Sequence, residues 1–311
     1  ELNAVLKGTY PHDTIFDEEL VKVLLYNYYL PLWEKTNYSK LMKDVYLINK
    51  NLPNRDKISV TPTDVVFSWR QAQTMTREEF KASFRKMWDE KDLLMGNNAI
   101  NELYQIFDGK GSRKKALVIY NAPHSCRYFE TAGPGYRAKE RFFAYQIIAD
   151  RFPDRVANVM LNWTAGYEDE DDENVLLSND GKIDAAFAAC NNKSIGFDLA
   201  NSPFGDCFFD VFSNEGIDKE KMKDVYHGFI FYTPVQDWVL SFGVPNLYKL
   251  DCIDELVRRE EIFNNKFIDK DKLDEHKKWA VRYYTKIRTF PVTMTGSKTR
   301  IHEQIERYYR P

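Results

Sequence analysis

His124 is the residue whose type and setting best suit it to chemistry. It follows an apolar run and a turn signal, Ala116-Leu117-Val118-Ile119-Tyr120-Asn121-Ala122-Pro123-His124, and leads into Ser125-Cys126-Arg127. An imidazole takes and returns a proton near neutral pH, and a neighbouring carboxylate can hold its ring for that task. The apolar run reads as a buried strand with His124 just past its carboxyl end. Asp64 follows the short run Ile58–Thr61, Asn162 follows Val156–Leu161, and Asp198 lies near the end of Ser194–Leu199. All four are strand-end positions, and the carboxyl ends of parallel strands converge on one face, where ligands bind. The expected chemistry is therefore proton transfer at His124 with carboxylates orienting it. A metal held by Asp64, His124 and Asp198 is a weaker alternative.

Other residues in the same loops complete the candidate site. Asn121, Arg127 and Trp163 stand beside these strand ends as substrate-binding candidates. Arg127 and Arg137 flank Gly133-Pro134-Gly135, a loop at a helix start that could hold an anion. It matches neither GxGxxG nor a Walker sequence, so nucleotide binding is not expected. Cys126 is two residues past His124, but neighbouring loop side chains need not face one another. The four cysteines (Cys126, Cys190, Cys207, Cys252) form no CxxC pair, which argues against a zinc knuckle and for buried free thiols. His227 reads as structural, on the opposite edge from the site; His12, His276 and His302 read as surface residues. The acidic run Glu168–Glu173 reads as a solvated loop.

The elements that must position these residues alternate. Helices are expected at Phe16–Glu34, Ser39–Lys50 and Thr76–Phe107, the last opening on a capping box of Thr76 and Glu79 with Gly96 as a possible break. Further helices are expected at Gly135–Arg151, Ile253–Phe263 and Asp271–Thr289, with a charged tail from Gly296. Strands are expected at 58–61, 116–120, 156–161, 194–199 and 228–233. Strands separated by helices imply an α/β fold. The expectation is one domain over residues 1–311, a largely parallel sheet flanked by helices, with a helical elaboration at about 65–110. The chain has 311 residues, 43% of them hydrophobic and 15% aromatic, enough for a sizeable core. Its net charge of -3 offers no global field for nucleic acid, which excludes that class of partner. No apolar run reaches the roughly 20 residues of a transmembrane helix. The implied partner is a small molecule. The chain starts at Glu1, and the expectation is a processed, soluble product whose leader has been removed.

A family resemblance sharpens this. Lys91-Asp92-Leu93-Leu94-Met95-Gly96-Asn97-Asn98 resembles the RDxxMAxN helix of erythromycin-esterase-like proteins, and that helix leads into a strand and a histidine loop, here Ala116 to His124. The order of Asp64, this helix and His124 resembles the wider superfamily that holds the ChaN haem-uptake and Tiki/TraB proteins. The similarity is clearest over Ile58–Tyr128 and extends through Gly196-Phe197-Asp198 and His227–Phe231. It implies an α/β sheet with its site at strand carboxyl ends, His124 and Asp92 as catalytic residues, and Asn98 lining the site. Lys91 stands where the family has arginine, and the family's Gly-Glu-x-x-His motif has no counterpart here. Leu2–Gly8 resembles a segment that follows the family's second strand, so that motif is expected upstream of Glu1.

Two functions follow as expectations. One is hydrolysis of an ester or related acyl bond with His124 as general base and Asp92 and Asp64 orienting it. The other is non-catalytic binding of haem or another planar apolar molecule by aromatics such as Trp163, Phe204 and Tyr232. The residues themselves specify no cofactor.

Overall fold

In the computed structural model, the described residues are 2–9, 17–18, 20–21, 36–65, 74–109, 115–127, 143–167, 175–210, 220–245, 253–264, 268–291 and 295–309. Helices are α1 (Leu2–Leu6), α2 (Thr36–Lys50), α3 (Arg77–Asp89), α4 (Lys91–Asp108), α5 (Ala122–Ser125), α6 (Ala144–Arg151), α7 (Lys182–Ala189), α8 (Met222–Val225), α9 (Ile253–Asn264), α10 (Leu273–Thr285) and α11 (Thr295–Glu306). Strands are β1 (Val159–Leu161), β2 (Thr164–Tyr167), β3 (Val175–Leu177), β4 (Ile195–Asp198), β5 (Gly228–Phe231), β6 (Val239–Phe242) and β7 (Arg288–Pro291). No described helix is long and apolar enough to cross a membrane. The chain forms two compact units: Glu1–Lys91 with Asn101–Ala116 and Ser241–Thr289, and Asp92–Ile100 with Leu117–Leu240 and Phe290–Pro311. Their segments interleave along the sequence. That is why no Pro/Gly/Ser linker marks a boundary between them.

The first unit is mainly helical. Leu6 and Val5 of α1 pack with Met42, Val45 and Tyr46 of α2. Thr76 and Glu79 form the expected capping box, which satisfies orphan donors at the start of α3. The expected strand at 58–61 joins no ladder among the described residues. Its backbone is held by amide side chains instead. Asn49 accepts from Ile58 N at 2.7 Å and donates to Ile58 O and Leu6 O at 3.0 and 2.9 Å. Asn3 accepts from Val60 N at 2.7 Å and returns a bond to Val60 O at 2.9 Å. Each side-chain amide thus gives Ile58 or Val60 one acceptor and one donor, as a residue of a neighbouring strand would. In the α9–α10 hairpin, His276 bonds buried Glu260 at 2.7 Å, and Tyr284 donates to the same carboxylate. His276 is therefore tied into its helix pair, a correction to the surface reading.

The second unit holds a mixed α/β core. Its principal sheet has the order β1-β5-β4. β1 and β5 are parallel, with Val159 opposite Gly228 and Leu161 opposite Ile230. β4 runs antiparallel to β5, with Ile195 opposite Phe231 and Asp198 opposite Gly228. The expected largely parallel sheet is corrected accordingly: among the described residues the sheet is small and mixed. Phe187 of α7 covers one face, its ring stacked 4.0 Å from Phe231 and 5.5 Å from Phe204. Met160, Phe229 and Leu199 join this cluster, so these aromatics serve the core. Phe204 belongs to it as well, rather than to a ligand surface.

The apolar run before His124 is the second correction. Residues 115–121 carry no ladder, and Leu117 and Ile119 are 87% and 67% exposed. A continuous apolar stretch fits a doubly buried strand, yet it specifies no partner to pair with. α4 runs unbroken through Gly96, which serves close packing. A Cβ there would meet Ile147 Cβ of α6 at 2.9 Å. This close approach sets the first turn of α4 beside the first turn of α6.

Candidate active site

That packing places Asp92. It lies in the first turn of α4 and its Oδ1 accepts the backbone N–H of Ala144, the first residue of α6, at 3.0 Å. The same oxygen meets His124 Nδ1 at 2.7 Å. His124 sits in the single turn α5, closed by its own N–H to Asn121 O at 2.9 Å. The Asp92 side chain is 4% exposed and that of His124 16%. A buried acceptor facing Nδ1 fixes the ring and its tautomer: in the neutral imidazole the proton is on Nδ1 and the lone pair on Nε2. Thirty-two residues of chain separate the two groups, and α4 against α6 closes that distance.

The turn is anchored on the sheet through Asn158, one residue before β1. Its Nδ2 donates to Ser125 O at 2.8 Å and to Val225 O at 2.9 Å. Arg127 N donates to Val225 O at 3.1 Å. The anchors therefore lie at the amino ends of β1 and β5. Because β4 is antiparallel, its carboxyl end arrives at this same rim and brings Asp198 there. Asn162 and Trp163 follow the opposite ends of the strands. The single converging face expected of Asn162, Asp198 and the His124 loop is thus split between two rims.

The remaining candidates sort by this geometry. Arg127 reaches His227 Nε2 through Nη2, and its Nη1 lies 3.5 Å from Lys223 O. Burial first, then the Arg127 guanidinium, hold the His227 imidazole below the ordinary histidine range, with the Asp198 carboxylate opposing them. Asn121 and Asn98 are exposed, and Asn121 O closes the His124 turn. Asn162 is buried and structural. Its N–H and Nδ2 donate to Ile230 O and Thr233 O at 2.9 and 2.8 Å, and its Oδ1 accepts from Tyr232 N at 3.1 Å. It clips the end of β1 to the chain leaving β5. Trp163 is 47% exposed and leans on Trp238 at 5.2 Å, while Tyr232 stacks on Trp238 at 5.5 Å.

Asp64 belongs to the first unit, where its carboxylate lies 3.5 Å from Lys91 Nζ. Lys91 also sits over the Trp88 ring at 5.2 Å. Half-exposed, this ion pair is worth at most about 1 kcal/mol. The His124–Asp92 hydrogen bond is made without Asp64. No group of three His, Cys, Asp or Glu side chains suited to a metal occurs among the described residues, so the Asp64, His124 and Asp198 metal reading is dropped. Arg137, the Gly133–Gly135 loop, the acidic run and Cys252 lie outside the described residues.

Cys126 is buried beneath this turn. Its Sγ lies 3.0 Å from the Tyr226 hydroxyl, which also meets Ser125 Oγ at 3.2 Å. Burial pushes the thiol up to about 12, against the Tyr226 hydrogen bond and with the Asp92 carboxylate adding to it. A thiol held there is protonated and inert at neutral pH. Native protein treated with a thiolate-selective alkylating agent is expected to leave Cys126 unmodified while exposed Cys190 reacts. Mass mapping showing faster loss of Cys126 than Cys190 would refute this.

Sequence reasoning missed His227 and Asn158. The only signal was a histidine directly before an apolar strand, and its neighbours come from segments about 70 and 100 residues away. No protein-family model, curated protein or solved structure matches this chain.

Proposed function

We propose that the protein is a hydrolase of an ester or related acyl bond, with His124 as general base. The observation that supports this reading is the hydrogen bond from Nδ1 of a partly exposed imidazole to a buried carboxylate. Nε2 takes a proton from water as the water attacks the acyl carbon. The imidazolium formed is stabilised by Asp92 and returns its proton to the departing alkoxide. The resemblance of Lys91–Asn98 and Ala116–His124 to erythromycin-esterase-like proteins agrees with this assignment. The test is a panel of activated esters assayed with the wild type and His124→Ala. General-base catalysis contributes roughly 10²–10⁴-fold, and the variant is expected to lose that factor. Equal turnover by the two proteins would remove the mechanism.

A second reading rests on a different surface. Trp163 and Tyr232 are part-exposed and both pack on buried Trp238, beyond the carboxyl ends of β1 and β5. In this reading the platform binds haem or another planar apolar molecule without turnover. Haem added to the wild type is then expected to shift its Soret band, and Trp163→Ala to weaken the shift. An unchanged spectrum would dispose of it.

A further inference from the structure

We infer that His227 is a positioning residue for the His124–Asp92 pair: as a neutral imidazole it links Arg127 to Asn158, and Asn158 holds the carbonyl of Ser125, the residue after His124. A guanidinium has donors and no acceptor, so the lone pair in the Arg127 contact belongs to His227 Nε2. The ring proton is then on Nδ1 and is donated to Asn158 Oδ1 at 2.6 Å, the nearer of two Asn158 groups at that nitrogen, since the Asn158 backbone N–H lies 3.2 Å from it. His227 N–H also donates to that oxygen, at 3.2 Å. With its oxygen so occupied, the Asn158 amide can turn only one way. Both of its N–H groups point at Ser125 O and Val225 O. The amide is buried and fully bonded, which makes its orientation stiff.

Protonation reverses this. An added proton on Nε2 sets a donor and a cation against the Arg127 guanidinium. Arg127 or the ring must then move, and where the ring moves Asn158 Oδ1 is left with the His227 backbone N–H alone. The groups facing His227 come from four segments: Arg127 after α5, Asp198 at the end of β4, Tyr145 of α6 edge-on at 6.3 Å, and Asn158 before β1. Asp198 alone favours the charged ring. The neutral link therefore holds at neutral pH and opens on acidification, below the ordinary histidine range. That His124 Nε2 performs the chemistry is taken from the proposed hydrolase reading; the link itself is independent of it.

Two substitutions divide the two bonds. In His227→Asn the side-chain amide puts an N–H where Nδ1–H stood. In His227→Gln it puts an acceptor where Nε2 stood and leaves Asn158 Oδ1 only the backbone N–H of residue 227. The imidazole nitrogen and Nδ1-proton signals of His124 and His227 are followed in the intact chain from neutral pH downward, with melting curves to confirm folding. Wild-type His227 is expected as the Nδ1–H tautomer, and its protonation is expected to perturb the His124 Nδ1 proton at the same midpoint. His227→Gln is expected to weaken that His124 signal at all pH values and to lower ester kcat roughly 10–100-fold, with KM little changed. His227→Asn is expected to recover most of both. A His124 signal in His227→Gln identical to wild type overturns the inference. Should His227→Gln fail to fold, Arg127→Gln decides: the His227 midpoint must rise, and an unmoved midpoint overturns it. Absence of ester turnover in the wild type would defeat the hydrolase reading, while the nuclear signals would still judge the link.

Discussion

Asp92→Asn is expected to lower ester turnover by roughly 10²–10⁴-fold while leaving the protein folded, as loss of the orienting carboxylate does in triad hydrolases. The separation of effects comes from a shared oxygen. Asp92 Oδ1 accepts both His124 Nδ1–H and Ala144 N–H. Asparagine keeps a carbonyl for these donors but no charge for the imidazolium that forms as water is deprotonated. Asp92→Ala removes the acceptor as well, and leaves the buried Ala144 N–H unsatisfied at a cost of about 1–3 kcal/mol. Thermal melts with activity assays distinguish the two variants. Full activity in Asp92→Asn beside an inactive His124→Ala would mean that the carboxylate is only a helix-packing acceptor. Equal melting temperatures for Asp92→Ala and wild type would contradict the Ala144 anchor.

Asp184→Asn is expected to stabilise the protein above neutral pH and to flatten its pH–stability curve. Asp184 lies in the first turn of α7 among buried Ile183, Ala185 and Phe187. The positive end of a helix favours a carboxylate by about 0.3–1 kcal/mol. Burial outweighs it, together with a hydrogen bond to its own backbone, and pushes the carboxyl up to about 7. A group whose pKa is raised on folding binds more protons folded than unfolded, so stability falls as pH rises. Below about 4 both states are protonated and the full stability is present. Between about 4 and 7 it declines, and above 7 the charged side chain is buried at full cost. Carrying the carboxyl from its ordinary range to about 7 corresponds to about 4 kcal/mol as an upper bound. Urea denaturation across this range measures it. A wild type that does not lose stability relative to the Asn variant between pH 4 and 7, or an Asn variant no more stable at alkaline pH, would exclude the assignment.

What the sequence by itself determined was local. The capping box of Thr76 and Glu79 is made by residues three apart, and it opens α3 as expected. The cores of three strands, 159–161, 195–198 and 228–231, fall inside the apolar runs that announced them. The charged tail forms α11. The tertiary structure decided direction and partnership. An apolar run looks the same whether its strand runs parallel or antiparallel. The reversal of β4 moved Asp198 to the other rim, and nothing between residues 194 and 199 encodes it. The run at 116–120 has strand composition but joins no sheet among the described residues. Segment 58–60 has its partners in two asparagine side chains. Asp92 and His124 were named together by a motif, but their contact depends on Gly96 admitting Ile147. His227 reads as structural from its place before a strand, on the edge opposite the expected site, and its partners Arg127, Asn158 and Asp198 are distant along the chain. Hydrogen bonds between such groups exist only once the surrounding core has packed. Residue type and spacing reveal what a side chain can do, whereas its neighbours are fixed by the close packing of segments remote in sequence.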